Sequence, residues 1–156
     1  MKLPKVYSFK VHKMLTDKEF RKELQKSVSI IRKYDIPYVA GYSKDGKEIY
    51  IDRHFESNWN GKDITKYLVI HEITEKALLN IYKLKYQQAH HIATHVERNA
   101  VVNDGLDWKD YCRYIDKYVK TLDHENLKYS PPNLDLTPYK DEKDFSKFIK
   151  KRKEDE

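Results

Sequence analysis

The residues best suited to chemistry are concentrated in the stretch YLVIHEITEKALLNIYKLKYQQAHHIATHVERNAV, which holds four of the chain's seven histidines. In its HEITE segment, His71 and Glu75 lie four residues apart. In an α-helix that spacing places both side chains on the same face, one turn apart. An imidazole and a carboxylate on one face can bind a single metal ion. The segment therefore predicts a metal site on a helix.

Glu72 follows His71 directly and lies about 100° around such a helix from it. From there its carboxylate can hydrogen-bond a metal-bound water without being a ligand itself. In HExxH zinc peptidases the Glu at this place is the general base, and zinc lowers the pKa of water to about 7. Glu75 stands where that motif has its second His, and a carboxylate is also a zinc ligand. We predict that Glu72 is the catalytic base.

The next helix carries the remaining candidates. His90 and Glu97 are seven residues apart, two turns along one face, whereas His91 and His95 are four apart on a neighbouring face. Both sets therefore cannot point fully at one metal ion. A short connection makes this helix roughly antiparallel to the HEITE helix, which brings the polar faces of the two helices together.

From these residues we predict a metal site for zinc or another divalent ion, with His71, Glu75 and Glu97 as ligands. His90 is the fourth ligand or a donor to the tetrahedral intermediate. His91 and His95 are expected to be exposed or to support the site, and whether either replaces His90 stays open. The alternative is a buried His/Glu hydrogen-bond network, because a charged pair inside so apolar a helix needs a partner or a metal.

The elements that position these residues can be read from periodicity and turn signals. Apolar residues at steps of three and four predict a helix that begins at Asp17, with Thr16 as its cap, and that includes Val28 and Ile31. Asp45-Gly46 lies between two β-prone runs and predicts a hairpin. Residues 56–63 read as a loop that ends at Asp63, a capping residue. Helices are predicted over residues 64–83, 86–104 and 107–127, followed by an extended strap over residues 130–139.

This order predicts an α+β fold, with a helical layer packed on a small β-hairpin or sheet and an extended C-terminal strap. We expect a single domain over residues 1–139 and a charged, mobile tail over residues 140–156. In a hydrolase of this layout, the second hairpin strand, around residues 49–52, would be an edge to which a substrate strand could add.

Composition and charge limit the kinds of partner, the kinds of metal site and the cellular location that the sequence supports. The net charge is +6, from 31 basic and 25 acidic residues that are interleaved along 156 positions, so nucleic-acid binding has only weak support. Cys112 is the only cysteine, which excludes an intrachain disulfide and a Cys-based zinc site. No apolar run has membrane length. We expect a soluble, cytoplasmic protein that does not contact a membrane, and the oligomeric state stays open.

The segments YLVIHEITEKALL, KYQQAHHIATHVERNAV, LDWKDYCRYIDKYV and PPNLDLTPYKDE resemble a family of small, uncharacterised proteins of bacteriophages and prophages. The shared pattern is HExxE, then YxxAHxxATxxE, then a WKxY helix and a DLDLTPY strap. The resemblance implies that the matching residues form one site. These residues are His71, Glu72, Glu75, His90 and Glu97. The resemblance also implies a phage-encoded protein that is located in the host cytoplasm or in the virion.

The layout is also similar, more loosely, to minimal zincin domains of the gluzincin kind, including phage-linked peptidases that cleave repressors. That resemblance implies a zinc peptidase whose third ligand follows the first His by some twenty residues, and Glu97 lies 26 residues after His71. Glu75 departs from the pattern, because zincins carry His there. An extra carboxylate would make a metal-bound water less acidic.

Three functional hypotheses follow from the sequence. The first is a zincin-like metal hydrolase, a peptidase acting on a protein or peptide substrate. The second is a non-catalytic phage accessory or virion-associated protein, in which the His/Glu cluster holds a structural metal or forms a buried network and the chain binds a protein partner. The third is a two-metal carboxylate site between helices, whose usual Glu-x-x-His pairs the sequence matches only loosely.

Overall fold

The computed structural model of the chain describes residues 5–122 and 129–139. These residues form an α+β fold, as predicted from the sequence. The predicted tail over residues 140–156 and the end of the last predicted helix lie outside the described residues. The elements are α1 (Lys5–Thr16), α2 (Lys18–Gln25), β1 (Ser29–Ile31), β2 (Ala40–Tyr42), β3 (Glu48–Ile51), β4 (Asn58–Trp59), β5 (Lys62–Asp63), α3 (Thr65–Ile81), α4 (Tyr86–Asn103), α5 (Trp108–Leu122) and a short 3₁₀ helix (Thr137–Tyr139).

The described residues divide into two compact units. The first comprises those up to Ser27 together with Ser57–Cys112, and the second comprises Val28–Glu56 together with those from Arg113 onward. The single domain expected over residues 1–139 stays a prediction.

In the first unit, α3 and α4 pack as an antiparallel pair. The direction follows from two contacts, because His71 meets Glu97 while Glu75, further along α3, meets the earlier His90. Apolar residues of α1, α2, α3 and α4 form a common core: Val11, Met14, Phe20, Ala77, Leu78, Ala89 and Ile92. Burial of this core fixes the two helices that carry the predicted site. Among the described residues, no helix has the length and apolar character needed to span a bilayer.

The start of α2 lies one residue from its predicted place. Asp17 is the N-cap, and its carboxylate accepts hydrogen bonds from the backbone N–H groups of Glu19 at 2.9 Å and Phe20 at 3.2 Å. Thr16, the predicted cap, instead donates its hydroxyl to the carbonyl of Lys13. Asp17 is the better cap here because its carboxylate also accepts the Tyr82 hydroxyl at 2.8 Å, which ties α2 to the end of α3.

The predicted extension of this helix through Val28 and Ile31 is wrong. The helix ends at Gln25, and Ser29–Ile31 is instead a strand, β1, that pairs in parallel with β3. The run VSII contains three β-branched residues, which favour a strand when a pairing partner is present. Tertiary pairing therefore overrides the helical periodicity at this end.

The second unit contains a three-stranded mixed sheet in the order β1-β3-β2. The predicted hairpin is confirmed, with shorter strands: β2 and β3 are antiparallel, Tyr42 lies opposite Ile49, and Gly46 takes the left-handed conformation in the turn at φ 75°. The prediction that β3 is an edge strand is wrong. β1 occupies the side that was expected to be free, so β3 is central and cannot accept a substrate strand.

A second hairpin lies in the segment predicted as a loop. β4 and β5 pair in antiparallel fashion, and the two residues between them, Asn60 and Gly61, have φ angles of 51° and 84°. Asn-Gly is the preferred pair for such a turn, because both positions need positive φ. The hairpin leads directly into α3, where the Asp63 carboxylate accepts the backbone N–H of Thr65 at 2.9 Å. Asp63 thus supports the helix start from one residue before the cap position, Ile64.

The predicted extended strap packs on the three-stranded sheet of its own unit. The backbone N–H of Asp135 donates to the carbonyl of Tyr42 at 2.9 Å, and Leu134 forms a bridge with Ser43. The Leu134 side chain is fully buried against Ile36 and Tyr50. The strap therefore supplies a core residue to the sheet.

We expect Leu134→Ala to lower the free energy of unfolding by about 2–5 kcal/mol, the usual cost of truncating a buried leucine. Urea denaturation of the full chain measures this loss. Leu136→Ala is the matched control, because Leu136 is only partly buried against the same cluster and should cost less. Equal stability of the Leu134→Ala variant and the unmodified protein would contradict the packing described here.

Candidate metal centre

The candidate site lies between α3 and α4, within the first unit. α3 supplies three of the predicted residues and α4 supplies the other two. His71, Glu72 and Glu75 are buried on α3, and Glu97 is buried on α4. Because burial of unpaired charge is costly, these groups have to be satisfied by one another or by a bound ion.

Glu75 joins the two helices. Its Oε2 atom accepts a hydrogen bond from the Nε2 of His71 at 3.1 Å and another from the Nδ1 of His90 at 2.9 Å. The two imidazole rings lie edge to face, with centroids 4.9 Å apart. One carboxylate oxygen thus lies between two imidazoles, as the four-residue spacing on α3 and the antiparallel pairing with α4 predicted.

These three residues form a group that could hold a metal ion. One donor atom from each of His71, Glu75 and His90 lies within 4.8 Å of the other two. Two ligands of one zinc ion, each at about 2.0–2.1 Å, cannot be more than about 4.2 Å apart. The Glu75 oxygen meets that limit with both imidazoles. Among the described residues, His71, Glu75 and His90 form the one such group of three. A two-metal carboxylate site would need about six ligands, so three ligands favour a single ion.

Glu97 lies behind His71 rather than among these donors. Its Oε1 atom accepts the Nδ1–H of His71 at 2.8 Å, on the opposite side of the ring from Glu75. Its Oε2 atom accepts the Tyr111 hydroxyl at 2.5 Å. A carboxylate on the far nitrogen of a ligating histidine fixes the ring's orientation and tautomer. The geometry therefore gives Glu97, which was predicted as a ligand, the contacts of a positioning residue.

The charge state of His71 reflects its two carboxylate contacts. Burial alone would lower the pKa of its imidazole, but hydrogen bonds to Glu75 and Glu97, with the negative charges of Glu97 and Glu72, raise the pKa well above its usual value. Without a metal, these two contacts favour the protonated imidazolium of His71, held between two carboxylates. A metal ion at the Nε2 atom would have to displace that proton.

Glu72, the predicted base, is buried next to the cluster. Burial raises the pKa of its carboxyl, and the charge of Glu75 raises it further, while His71 acts in the opposite direction. A carboxylate in this environment holds a proton more readily than an exposed one, which is the property required of a group that takes a proton from water. Its catalytic role stays a prediction.

His90 gives the group an open side. Its side chain is 49% exposed, against 2% for Glu75 and 10% for His71. The Tyr86 hydroxyl lies 3.3 Å from the Nδ1 atom of His90 and the two rings are tilted against each other. The group is therefore nearest to solvent at His90, and a catalytic metal site needs such a side for its water or substrate.

His91 and His95 do not join this group. Their Nε2 atoms lie 3.3 Å from each other on a different face of α4. His90 is therefore the α4 histidine that meets Glu75. Which of the three histidines binds a metal ion stays a prediction. Of the other histidines, His12 is exposed on α1 and His54 approaches Asp35 at 3.9 Å in the second unit.

Two tyrosines contact the site without having been assigned a role from the sequence. Tyr86 lies four residues before His90, so helical spacing alone could have paired them. Tyr111 comes from α5, and no local spacing connects it with Glu97. Its ring is buried among three aromatic side chains that hold the hydroxyl in place: Trp59, Tyr67 and Trp108.

Comparisons of the chain with protein-family models, with curated proteins and with solved structures find no match. The resemblances to the phage family and to zincin domains therefore stay predictions, and the residues of the site itself carry the functional argument.

Proposed function

We propose that the protein is a zinc-dependent hydrolase that cleaves peptide bonds, with His71, Glu75 and His90 as metal ligands and Glu72 as the general base. The observation that carries the proposal is the convergence of two imidazoles and one carboxylate within 4.8 Å of one another. Buried Glu72 lies beside that group, and His90 leaves one side of it open to solvent.

Zinc is the ion whose preferences match this donor set best. Imidazole nitrogen and carboxylate oxygen are both common zinc ligands, and three protein ligands with an open position are typical of catalytic zinc sites. A zinc ion bound there would polarise a carbonyl group and make water more acidic. His90 would be a ligand in this arrangement, rather than only a donor to the intermediate.

The chain's own residues would then divide the work of hydrolysis. Glu72 takes a proton from a water molecule as the water oxygen attacks the carbonyl carbon of the peptide bond. The carbon–nitrogen bond breaks, and Glu72 returns the proton to the leaving amine nitrogen. Glu97 and Tyr111 hold the His71 ring in position throughout.

Elemental mass spectrometry of the tag-free protein, after loading with zinc and dialysis, tests the metal site. We expect one tightly bound zinc per chain to remain after dialysis in the unmodified protein and in His12→Ala, whose histidine is exposed and distant in sequence. We expect His71→Ala and Glu75→Gln to lose this tightly bound ion, because each removes one of three ligands. Absence of zinc from the unmodified protein would overturn the proposal.

A second candidate function is favoured by the contacts of His71. Both of its ring nitrogens already meet carboxylates, so a protonated His71 is satisfied without any metal. In that case the cluster is a buried network in a non-catalytic accessory protein, phage-encoded or carried in the virion, that binds a protein partner. The same experiment separates the two, since the network requires no zinc and predicts only lower stability in His71→Ala.

A further inference from the structure

We infer that His91 and His95 form a second zinc-binding site, on the face of α4 that does not meet Glu75. This site is separate from the His71, Glu75 and His90 group and does not depend on the function proposed for it. The two histidines are one helical turn apart, and their side chains converge rather than diverge into solvent. Their rings are nearly perpendicular, at 88°, with centroids 4.7 Å apart.

The distance between the two Nε2 atoms, 3.3 Å, suits chelation of one tetrahedral ion. If each nitrogen lies about 2.05 Å from the ion, as in histidine-bound zinc, that separation corresponds to an angle of about 107° at the metal. The tetrahedral angle is about 109°, so the separation of the two nitrogens already matches that of two zinc ligands. A square-planar ion, with ligands at about 90°, would need the nitrogens about 2.9 Å apart.

The position of the pair on the helix makes it accessible. His91 is exposed and His95 is partly exposed. The preceding residue, His90, points to the α3 side of the helix, where it meets Glu75. The helix fixes the directions of both Cα–Cβ bonds, so ion binding orders less of the chain than it would for two ligands on separate flexible segments. Water would complete the coordination, so the site would be weaker and more exchangeable than one with three protein ligands.

A direct hydrogen bond between the two imidazoles would also bring the Nε2 atoms to 3.3 Å, and experiment separates it from chelation. Zinc is titrated into the tag-free full chain in competition with a chromophoric zinc indicator. The matched variants are His91→Ala, His95→Ala and His12→Ala. His12 is exposed on α1 and has Ser8 and Thr16, rather than histidine, at the positions one turn away.

We expect the unmodified protein and His12→Ala to bind one more zinc ion per chain than either His91→Ala or His95→Ala. In those two variants the affinity for that ion should fall about 10²-fold, because the remaining imidazole loses its chelating partner. NMR should show zinc-dependent shifts of the imidazole C–H signals of His91 and His95. Equal zinc binding by His95→Ala and His12→Ala would overturn the inference. If the His71, Glu75 and His90 group binds no zinc, every protein tested binds one zinc ion fewer. The difference between His12→Ala and the His91→Ala or His95→Ala variants stays the same.

Discussion

Glu97→Ala is expected to destabilise the protein by about 3–5 kcal/mol, the cost of removing one partner from a buried charged pair. Glu97 is buried, and its two carboxylate oxygens accept hydrogen bonds from His71 and Tyr111, which are buried as well. Alanine would leave the Nδ1–H of His71 and the Tyr111 hydroxyl without this acceptor. Urea denaturation in the presence of a metal chelator measures the effect without any contribution from bound zinc.

Two variants with smaller expected effects separate the contributions of the Tyr111 hydrogen bond and of the charge on Glu97 to this loss of stability. Tyr111→Phe removes a single hydrogen bond and should cost about 1–2 kcal/mol, because the ring still fills its place among the aromatic side chains. Glu97→Gln keeps the shape and one acceptor oxygen but removes the charge that pairs with His71. We expect it to fall between Tyr111→Phe and Glu97→Ala. A Glu97→Ala variant as stable as Tyr111→Phe would show that the carboxylate does not pair with His71 in solution.

Zinc binding by a Glu97 variant distinguishes two roles of Glu97 in a metal site, a residue that positions His71 and a metal ligand. In a metal site, the group behind a ligating histidine affects binding without touching the ion, and its loss typically costs 10–100-fold in metal affinity. Zinc that binds to Glu97→Gln with an affinity reduced by about that factor would fit a positioning role. Complete loss of zinc would instead mean that Glu97 is itself a ligand, as the sequence predicted.

The local part of this site could be predicted from the sequence because helical spacing has a fixed geometry. A separation of four positions places His71 and Glu75 on one face of α3, and the short α3–α4 connection brings α4 back alongside it. The structure shows a contact between Glu75 and His90 that is consistent with this pairing of the two helices. The role of Glu97 could not be read from spacing, because a two-turn separation from His90 does not say which nitrogen of His71 it meets.

Two of the errors in the fold, the end of α2 and the place of β3 in the sheet, have one physical cause. Hydrophobic periodicity predicts the secondary structure of a segment from its own residues alone. Whether the segment forms a strand also depends on a pairing partner that is distant in the sequence. The predicted helix lost Ser29–Ile31 because β3 offered that segment a parallel partner. The same pairing made β3 central and removed the expected substrate edge. Asn60-Gly61 was different, since its turn signal is local and should have predicted the β4–β5 hairpin.

Glu72→Gln should abolish hydrolysis while leaving zinc in place. Glutamine is close to glutamate in size, but its amide cannot accept the proton of the attacking water. Loss of a general base typically lowers the rate about 10²–10⁴-fold. Because the sequence of the substrate is open, the assay uses zinc-loaded protein and a mixture of synthetic peptides of varied sequence, with cleavage products identified by mass spectrometry. Glu19→Gln is the matched control, because Glu19 is an exposed carboxylate on α2.

Zinc content and cleavage must be measured on the same samples, since only their combination tests the role of Glu72. If Glu72→Gln keeps its zinc and loses the cleavage seen with the unmodified protein and Glu19→Gln, Glu72 acts on the proton rather than on the metal. If it loses both, Glu72 is a fourth ligand, and the base has to be sought elsewhere. Full cleavage by a zinc-loaded Glu72→Gln variant would refute the mechanism. If the zinc-loaded unmodified protein cleaves none of the peptides, the proposed peptidase activity is contradicted. The zinc ion would then have a structural role.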